Sequence, residues 1–392
     1  MPPAASKRPL FVFEALGSLA CGFYGNYVFF LFRDRYGFGN LGNLGVAALM
    51  GLVIALAAWQ GGRFAERCGC FKAMFVGLWG MMVSHCIGVC FPALAIQLAV
   101  MVFWAASQFI VWPALETLVS GSTGGPARAR LIGVYSVVWA SCSALSYFFG
   151  GALFDRLGNS SIFWLPLGLH LIQIILLRHI ERRQRERVEG PPEESTWEPP
   201  LGGSGRHASP ASLRHAAWLA NPFASVAAFT LLAMIPETAG KMGLTTTTAG
   251  WFCSVWFFAR LGAFVFMWRW PGWHYRFRWL LGGYLMLIAG FGIVLTADDL
   301  LWLGLGQMAF GLAVGVLYYA SLFYSMDVGN ARAEQGGIHE AMMGAGNFVG
   351  PGIGALGLLI APQSPDAGVW SVGGLLAVGL AIMLRNRLKA GS

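Results

Sequence analysis

Charged side chains are scarce in this sequence of 392 residues. Asp, Glu, Lys and Arg together make up 11% of it, while apolar residues make up 56%. A soluble globular domain carries about 25% charged residues, so too few are present here to cover a water-facing surface. This scarcity excludes an ordinary soluble domain, and the mean hydropathy of +0.61 agrees with a membrane protein.

The motifs of common catalytic and metal sites are also missing. The seven cysteines form no CxxC pair or zinc pattern, so we interpret them as small apolar fillers and incidental thiols. No GxxxxGK(S/T) loop is present, so ATP is not expected to drive the protein directly, and HExxH and GxSxG are absent too. A membrane-embedded transferase needs a nucleophile or a metal. We therefore expect no enzyme, no metal and no cofactor.

The N-terminus lacks the pattern of a cleavable signal. Its first apolar run, Leu10 to Phe32, contains Glu14 and has no clear small-residue cleavage site. A signal peptide has an apolar region of only about 7–15 residues. We interpret this run as the first membrane span.

Long apolar runs recur along the whole chain. A helix crosses a bilayer with about 20 apolar residues, and in lipid its backbone amides must be paired within the segment. The predicted spans are residues 9–32, 42–61, 73–92, 93–118, 131–153, 161–180, 214–238, 247–268, 279–297, 300–325, 337–361 and 367–385. The sequence thus predicts an all-α integral membrane protein with twelve transmembrane helices.

The basic residues orient these spans. An even number of spans places both termini on one side, and if that side is the cytoplasm it holds 21 of the 26 Lys and Arg residues. Only Arg33, Arg35, Arg156 and Lys241 lie on the other side, and Arg260 lies within a span. This is the positive-inside pattern, so the net charge of +8 is an orientation signal and not a sign of nucleic-acid binding.

One polar segment divides the chain into two halves. Residues 181–213 start with a cluster of Glu and Arg and continue rich in Pro, Gly, Ser and Glu, a composition that cannot bury a core. We predict an N-terminal six-helix half over 1–180, a disordered cytoplasmic loop over 181–213 and a C-terminal six-helix half over 214–392.

A charged stretch between the second and third spans carries a family signature. The signature is Gly, a Leu-like residue, a small residue, Asp, Arg, any residue, Gly and then basic residues. The matching positions are Gly62, Phe64, Ala65, Glu66, Arg67, Gly69 and Lys72. With twelve spans and a central loop, the chain resembles the major facilitator superfamily over about residues 9–386. The resemblance implies two six-helix halves and transport of a small solute by alternating access.

The same stretch suggests a conformational latch formed by Gly62, Glu66, Arg67, Gly69 and Lys72. Glu66 can pair with Arg67, with Lys72, or with a cation or a helix N-terminus of a neighbouring span. A bond available in only one conformation biases a two-state equilibrium. The alternative is an ordinary solvated charged turn. The corresponding loop 268–276 has no acid, so the latch is expected to be asymmetric.

Two further departures concern the fifth and eleventh spans. Family antiporters often carry Gly-Pro in the fifth span, but residues 146–151 contain no Pro, which weakens an antiporter assignment. A comparable string occurs in the eleventh span at Gly346, Gly350, Pro351 and Gly354. These small residues predict close helix packing, which is a sliding contact in a transporter and plain packing in a static bundle.

Arg260 is the clearest polar candidate, because a charge deep in a bilayer is costly and functional by default. It should face a water-filled cavity or pair with an acid, and Glu237 is a candidate partner. We expect a role in binding a substrate anion or in gating. The alternative is a buried ion pair that only fixes helix packing.

The resemblance also implies that the first, fourth, seventh and tenth spans line a central cavity. The cavity candidates are then Glu14, Asn26, Gln108, Gln307 and Tyr318, together with Arg260. Burial disfavours the charged form of a carboxyl group, and His titrates near neutral pH, so Glu14, His339 and Glu340 are candidates for proton coupling. The alternatives are a surface carboxylate at Glu14 and a helix cap at His339-Glu340.

The function predicted from these patterns is a secondary active transporter of a small solute, and we favour proton coupling. The alternatives are a facilitative uniporter and a transporter-like sensor or scaffold. The expected partners are a small-molecule substrate, the lipid bilayer and protons, without nucleic acid. We expect a monomer in a bacterial inner membrane with both termini in the cytoplasm.

Overall fold

A computed structural model describes residues 7–120, 125–188, 210–297, 299–328, 333–364 and 366–391. This part of the chain is folded into α-helices and one short 3-10 helix, Pro271–Trp273, and contains no strand. The α-helices are α1 (Arg8–Tyr36), α2 (Asn40–Cys68), α3 (Cys70–Cys90), α4 (Leu94–Ser120), α5 (Gly125–Leu157), α6 (Ser161–Val188), α7 (Pro210–Lys241), α8 (Thr246–Cys253), α9 (Val255–Arg269), α10 (Phe277–Thr296), α11 (Leu300–Val328), α12 (Ala333–Ile360) and α13 (Ala367–Gly391).

The predicted spans are confirmed. The described residues form twelve segments long and apolar enough to cross a membrane, one at each predicted position. The eighth span consists of α8 and α9, which meet at Ser254. The segment expected as the central loop, 181–213, lies largely outside the described residues, because α6 continues to Val188 and α7 begins at Pro210.

We group the helices by chain order into two halves, α1 to α6 and α7 to α13. Four helices, α3, α6, α10 and α13, make their main contacts within their own half and lie at the periphery. The most extensive packing between the halves joins α2 to α12, and α5 packs against both α8 and α9. The polar residues of the other helices therefore meet in the middle of the bundle.

Helix ends follow the local sequence. α1 ends at Gly37, whose φ of 69° lets its amide donate to the Arg33 carbonyl oxygen, as in a left-handed C-cap. Thr245 caps α8 by accepting from the Thr248 amide at 3.2 Å. The first cap ends a span and the second begins one.

The charged turn expected between the second and third spans is much shorter than the signature suggested. α2 continues to Cys68 and α3 begins at Cys70, so only Gly69, with a φ of 89°, breaks the helix. Gly62, Glu66 and Arg67 are helical, because Ala, Glu and Arg in this stretch favour a helix once water can solvate their charges.

Close helix contacts within the first half depend on glycine. A Cβ atom on Gly61 of α2 would lie 2.7 Å from the Phe109 carbonyl oxygen and 2.9 Å from the Ile110 Cα atom of α4. A Cβ atom on Gly45 of the same helix would meet nothing within 4 Å. Substitution of Ala at these two positions therefore distinguishes the effect of helix packing from that of helix propensity.

We expect Gly61→Ala to destabilise the protein by about 1–3 kcal/mol, because the new methyl group must push α4 backbone aside. Gly45→Ala is the matched control and should leave the free energy of unfolding unchanged or slightly improved. Thermal unfolding in detergent measures both variants. Equal melting temperatures for the two variants would show that α2 and α4 are not in this close contact.

Candidate functional site

A cavity of about 180 Å³ lies between the two halves. Its wall includes residues of eight helices, α1, α2, α4, α5, α7, α9, α11 and α12. Four of the predicted cavity residues line it, namely Asn26, Gln108, Arg260 and Tyr318. Most of the remaining wall is aromatic or small, so the few polar groups decide what the cavity can bind.

Arg260 lies in the cavity wall and is only 7% exposed. Its guanidinium carbon is 4.3 Å from the ring centre of Trp139, 4.7 Å from that of Phe257 and 5.3 Å from that of Trp256. Ring faces attract a cation, so this aromatic cage replaces the expected acidic partner. Its Nε and Nη2 atoms are buried without a hydrogen-bond partner.

Glu237, the partner suggested for Arg260, is engaged elsewhere, and that suggestion is wrong. Its Oε1 atom pairs with Lys241 Nζ at 2.7 Å, one helical turn away. Its Oε2 atom accepts from the Asn40 amide at the start of α2. The sequence places Glu237 close to the end of α7, and the helix ends there as predicted, too far along the bundle for the cage.

Three buried glutamates form a cluster next to the cavity. Glu14 of α1, Glu116 of α4 and Glu340 of α12 are each at most 3% exposed, and they interact electrostatically with one another. Two hydroxyl groups of the cavity wall connect Glu14 and Glu340 to it. Ser18 Oγ donates to Glu14 Oε1 at 2.6 Å, and Tyr318 Oη donates to Glu340 Oε1 at 3.3 Å.

His339 belongs to the same cluster. Its Nε2 atom lies 3.8 Å from Glu340 Oε1, and its Nδ1 atom is 3.0 Å from Ser321 Oγ of α11. Because α12 already begins at Ala333, His339 and Glu340 lie in its second turn, so they do not cap the helix. Both are buried, and their role in proton coupling stays a prediction.

On one side of the bundle, which we call the Glu66 side, the end of α2 meets the start of α12. Glu66 Oε1 accepts from the Glu334 amide at 3.1 Å, and Arg63 Nε lies 3.6 Å from Glu334 Oε1. A Cβ atom on Gly62 would lie 2.6 Å from the Ala333 carbonyl oxygen, so only glycine permits this approach. A carboxylate at a helix N-terminus is stabilised by the helix dipole.

The other latch candidates make no contact across the halves. Arg67 and Lys72 are exposed, and Gly69 serves the helix break. Lys7 adds a bond within the first half, because its Nζ atom donates to the Leu118 carbonyl oxygen at 2.6 Å. Partial burial lowers the pKa of Lys7.

The opposite side, which we call the Glu237 side, is closed by the same type of bond. Asp155 Oδ2 at the end of α5 accepts from the Thr247 amide at 2.8 Å and from Thr247 Oγ1 at 2.6 Å, at the start of α8. Glu237 bonds the first amide of α2. Arg33 Nη1 also donates to the Pro236 carbonyl oxygen at 2.5 Å. Contacts between the halves therefore lie on both sides of the bundle.

One predicted cavity residue lies outside the central cavity, whereas two of the predicted packing glycines make close helix contacts. Gln307 lines a separate cavity of about 350 Å³ near the Glu237 side, because its helical position turns it away from the centre. Gly346 and Gly350 pack against Pro222 and Val226 of α7, within their own half. Pro351 lies inside α12, and Gly354 packs against Leu44 of α2.

Two buried polar residues, Glu116 and Asn221, were not predicted from the sequence as site residues. Glu116 falls within the predicted fourth span, so the cost of a charge in a bilayer was already a signal. Asn221 is 1% exposed and lines the cavity, and its position in the seventh span offered the same signal. Among the described residues, no group of His, Cys, Asp and Glu could hold a metal ion.

The fold resembles solved transporters of low sequence identity. The human organic anion transporter MFSD10 (TETRAN) is 15% identical with a TM-score of 0.69, covering 98% of this chain and 100% of that chain. A mutant of the peptide transporter POT is 14% identical with a TM-score of 0.66, covering 98% of this chain and 94% of that chain. No curated protein sequence matches the chain.

The family model for the Major Facilitator Superfamily matches residues 15–351. That range includes the signature in α2, the aromatic cage and most of α12. It confirms the resemblance drawn from the signature and the span count. The protein therefore belongs to the Major Facilitator Superfamily of membrane transporters.

Proposed function

We propose that the protein is a secondary active transporter that moves a small solute across the membrane by alternating access. The observation that supports this proposal is a cavity between the halves, with a separate set of carboxylate contacts at each end of the bundle. Either set can break while the other holds, which is the requirement for opening one side at a time.

The contacts at the two ends are weak enough to open. A carboxylate at a helix N-terminus contributes about 0.3–1 kcal/mol when exposed and up to about 2 kcal/mol when partly buried. Both Glu66 and Asp155 are exposed, so water can take over their bonds. A sensor or scaffold would not require a polar cavity, and this cavity contains Arg260, Gln108 and Asn221.

We infer that protons drive the transport through the cluster of Glu14, Glu116 and Glu340, with His339 against Glu340. Three charged carboxylates in an apolar layer repel one another, and burial of each charge is costly. Closure of the Glu66 side therefore favours protonated acids, and opening to water favours their release. A facilitative uniporter does not need such a cluster.

The remaining expectations stay part of this proposal. The distribution of Lys and Arg supports cytoplasmic termini, so the Glu66 side would be cytoplasmic, and the expected location stays a bacterial inner membrane. The two halves would be 1–180 and 214–392, joined by residues 181–213. The protein would act as a monomer without nucleic acid, since the cavity lies within one chain.

Alternating access can be tested without knowing the substrate, because Cys21 lines the cavity and is 6% exposed. With the other six cysteines replaced by Ala, an impermeant maleimide can reach Cys21 only through an open side. Glu66→Ala should raise labelling from the Glu66 side, and Asp155→Ala should raise it from the Glu237 side. A loss of about 0.3–1 kcal/mol, the range for an exposed carboxylate, corresponds to a shift of about 2- to 5-fold.

The matched control is Arg67→Ala, which removes an exposed charge one residue from Glu66 and should not change labelling. Inside-out and right-side-out vesicles separate the two directions. Labelling from one side only, unchanged by both acid variants, would support a static sensor and contradict the transporter.

Proton coupling predicts that the same reporter responds to pH. Raising the pH should increase labelling of Cys21 from the Glu66 side, because charged Glu14, Glu116 and Glu340 are relieved when that side opens. The Glu340→Gln variant should respond less, and the variant with all three acids changed to Gln should not respond. Measurement of labelling rates between acidic and alkaline pH gives the comparison.

Glu186→Gln is the control for this test, since it removes an exposed acid of α6 outside the cluster. It should keep the pH response of the parent protein. A pH response that survives in the variant lacking all three acids would contradict the coupling role of the cluster and leave a facilitative uniporter as the simpler function.

A further inference from the structure

The central cavity fits a ligand with about one ring. Sites for drug-sized ligands have about 300–1,000 Å³, whereas this cavity has about 180 Å³. An apolar cavity of about 150 Å³ holds one benzene molecule. The body of the ligand is therefore expected to be a single ring or a short chain, packed against Phe109, Trp112 and Phe229.

The polar atoms left unpaired in this cavity are mainly donors. Arg260 Nε and Nη2, Trp104 Nε1 and Trp256 Nε1 are buried without a hydrogen-bond partner, and none of these groups can act as an acceptor. The amides of Gln108 and Asn221 each have one unpaired atom and can present either polarity. An unpaired buried donor costs about 1–3 kcal/mol, so the site is built for a ligand that brings acceptor oxygens.

The charge of the cavity has one sign. Arg260 is the only Asp, Glu, Lys or Arg among the residues that line it. The acids Glu14 and Glu340 lie behind the hydroxyl groups of Ser18 and Tyr318 and do not neutralise Arg260 by a direct contact. The aromatic rings hold the guanidinium group by its faces but cannot accept hydrogen bonds from its in-plane N–H groups. These N–H groups remain available to bind a planar pair of ligand oxygens.

We propose that the cavity binds a small organic monocarboxylate, with the carboxylate held by Arg260 and the indole N–H of Trp256. One arginine matches one negative charge, because a second buried charge would lack a partner. This inference rests on the proposed function, since it names the substrate class of the same cavity. It specifies that the substrate carries one negative charge and a small apolar body.

Calorimetric titration of the purified protein in detergent tests the proposal with benzoate as the probe. Benzyl alcohol has the same ring without charge, and phthalate carries a second carboxylate. We expect benzoate to bind. Both analogues should bind more weakly by roughly 10-fold or more, which is the loss expected for one charge-assisted hydrogen bond. Equal binding of benzyl alcohol, or no binding of benzoate, would overturn the proposal.

Variants of Arg260 assign the binding to this residue. Arg260→Met should weaken benzoate binding by roughly 10-fold or more, and Arg260→Lys should fall between it and the parent protein, because Lys keeps the charge and loses the two-pronged geometry. Arg269→Met, an exposed arginine at the end of the same helix, should bind benzoate like the parent. If Arg260→Met fails to fold, Arg260→Lys alone decides, and unchanged affinity there contradicts the proposal.

The outcome is separable from that of the transporter proposal. Benzoate binding is measured without any transport, and the labelling of Cys21 is measured without any substrate. Labelling of Cys21 from both sides without benzoate binding would contradict the carboxylate proposal and support the transporter proposal. Benzoate binding that depends on Arg260, without labelling of Cys21 from both sides, would contradict the transporter proposal and support the anion site.

Discussion

The structure depends on carboxylates that lie at the end of a helix in one half and bind the first amides of a helix in the other half. Glu66 bonds α12, Asp155 bonds α8 and Glu237 bonds α2. The amides at a helix start have no partner within their own helix, so each bond satisfies a group that would otherwise need water. Because the bonds are few and lie at the two surfaces, they join the halves there and can be replaced by bonds to water.

The interior follows from the cost of charge in an apolar bundle. Arg260 is held by ring faces, while Glu14 and Glu340 accept hydrogen bonds from hydroxyl groups of the cavity wall and Glu116 is buried without a hydrogen-bond partner. Tyr318 lies between the two sets: its ring stacks 4.8 Å from that of Trp139, and its hydroxyl group bonds Glu340. An anion at Arg260 would therefore act on the same side chains that adjoin the acids. In the proposed transporter, this contact is the route by which substrate and protons influence each other.

Predictions from the sequence were most accurate where a sequence pattern can arise from a single physical cause. The twelve spans were predictable, because a bilayer demands long apolar helices. The role of a helix N-terminus opposite Glu66 was among the predicted possibilities. Predictions that required a partner failed more often, as for Glu237 beside Arg260 and for Gln307 in the central cavity. Glu116 was overlooked although its position within a span already indicated a function.

The sequence by itself determined the all-α membrane fold, the number of spans and the family, because hydropathy, charge distribution and the signature are local properties of the chain. Only the tertiary structure decided which polar residues meet. Whether a side chain faces the cavity, the lipid or another helix depends on helix rotation, and a rotation of one residue, about 100°, changes the partner completely. For this reason the aromatic cage of Arg260, the cluster of three acids and the bonds across the halves could be recognised only in the folded protein.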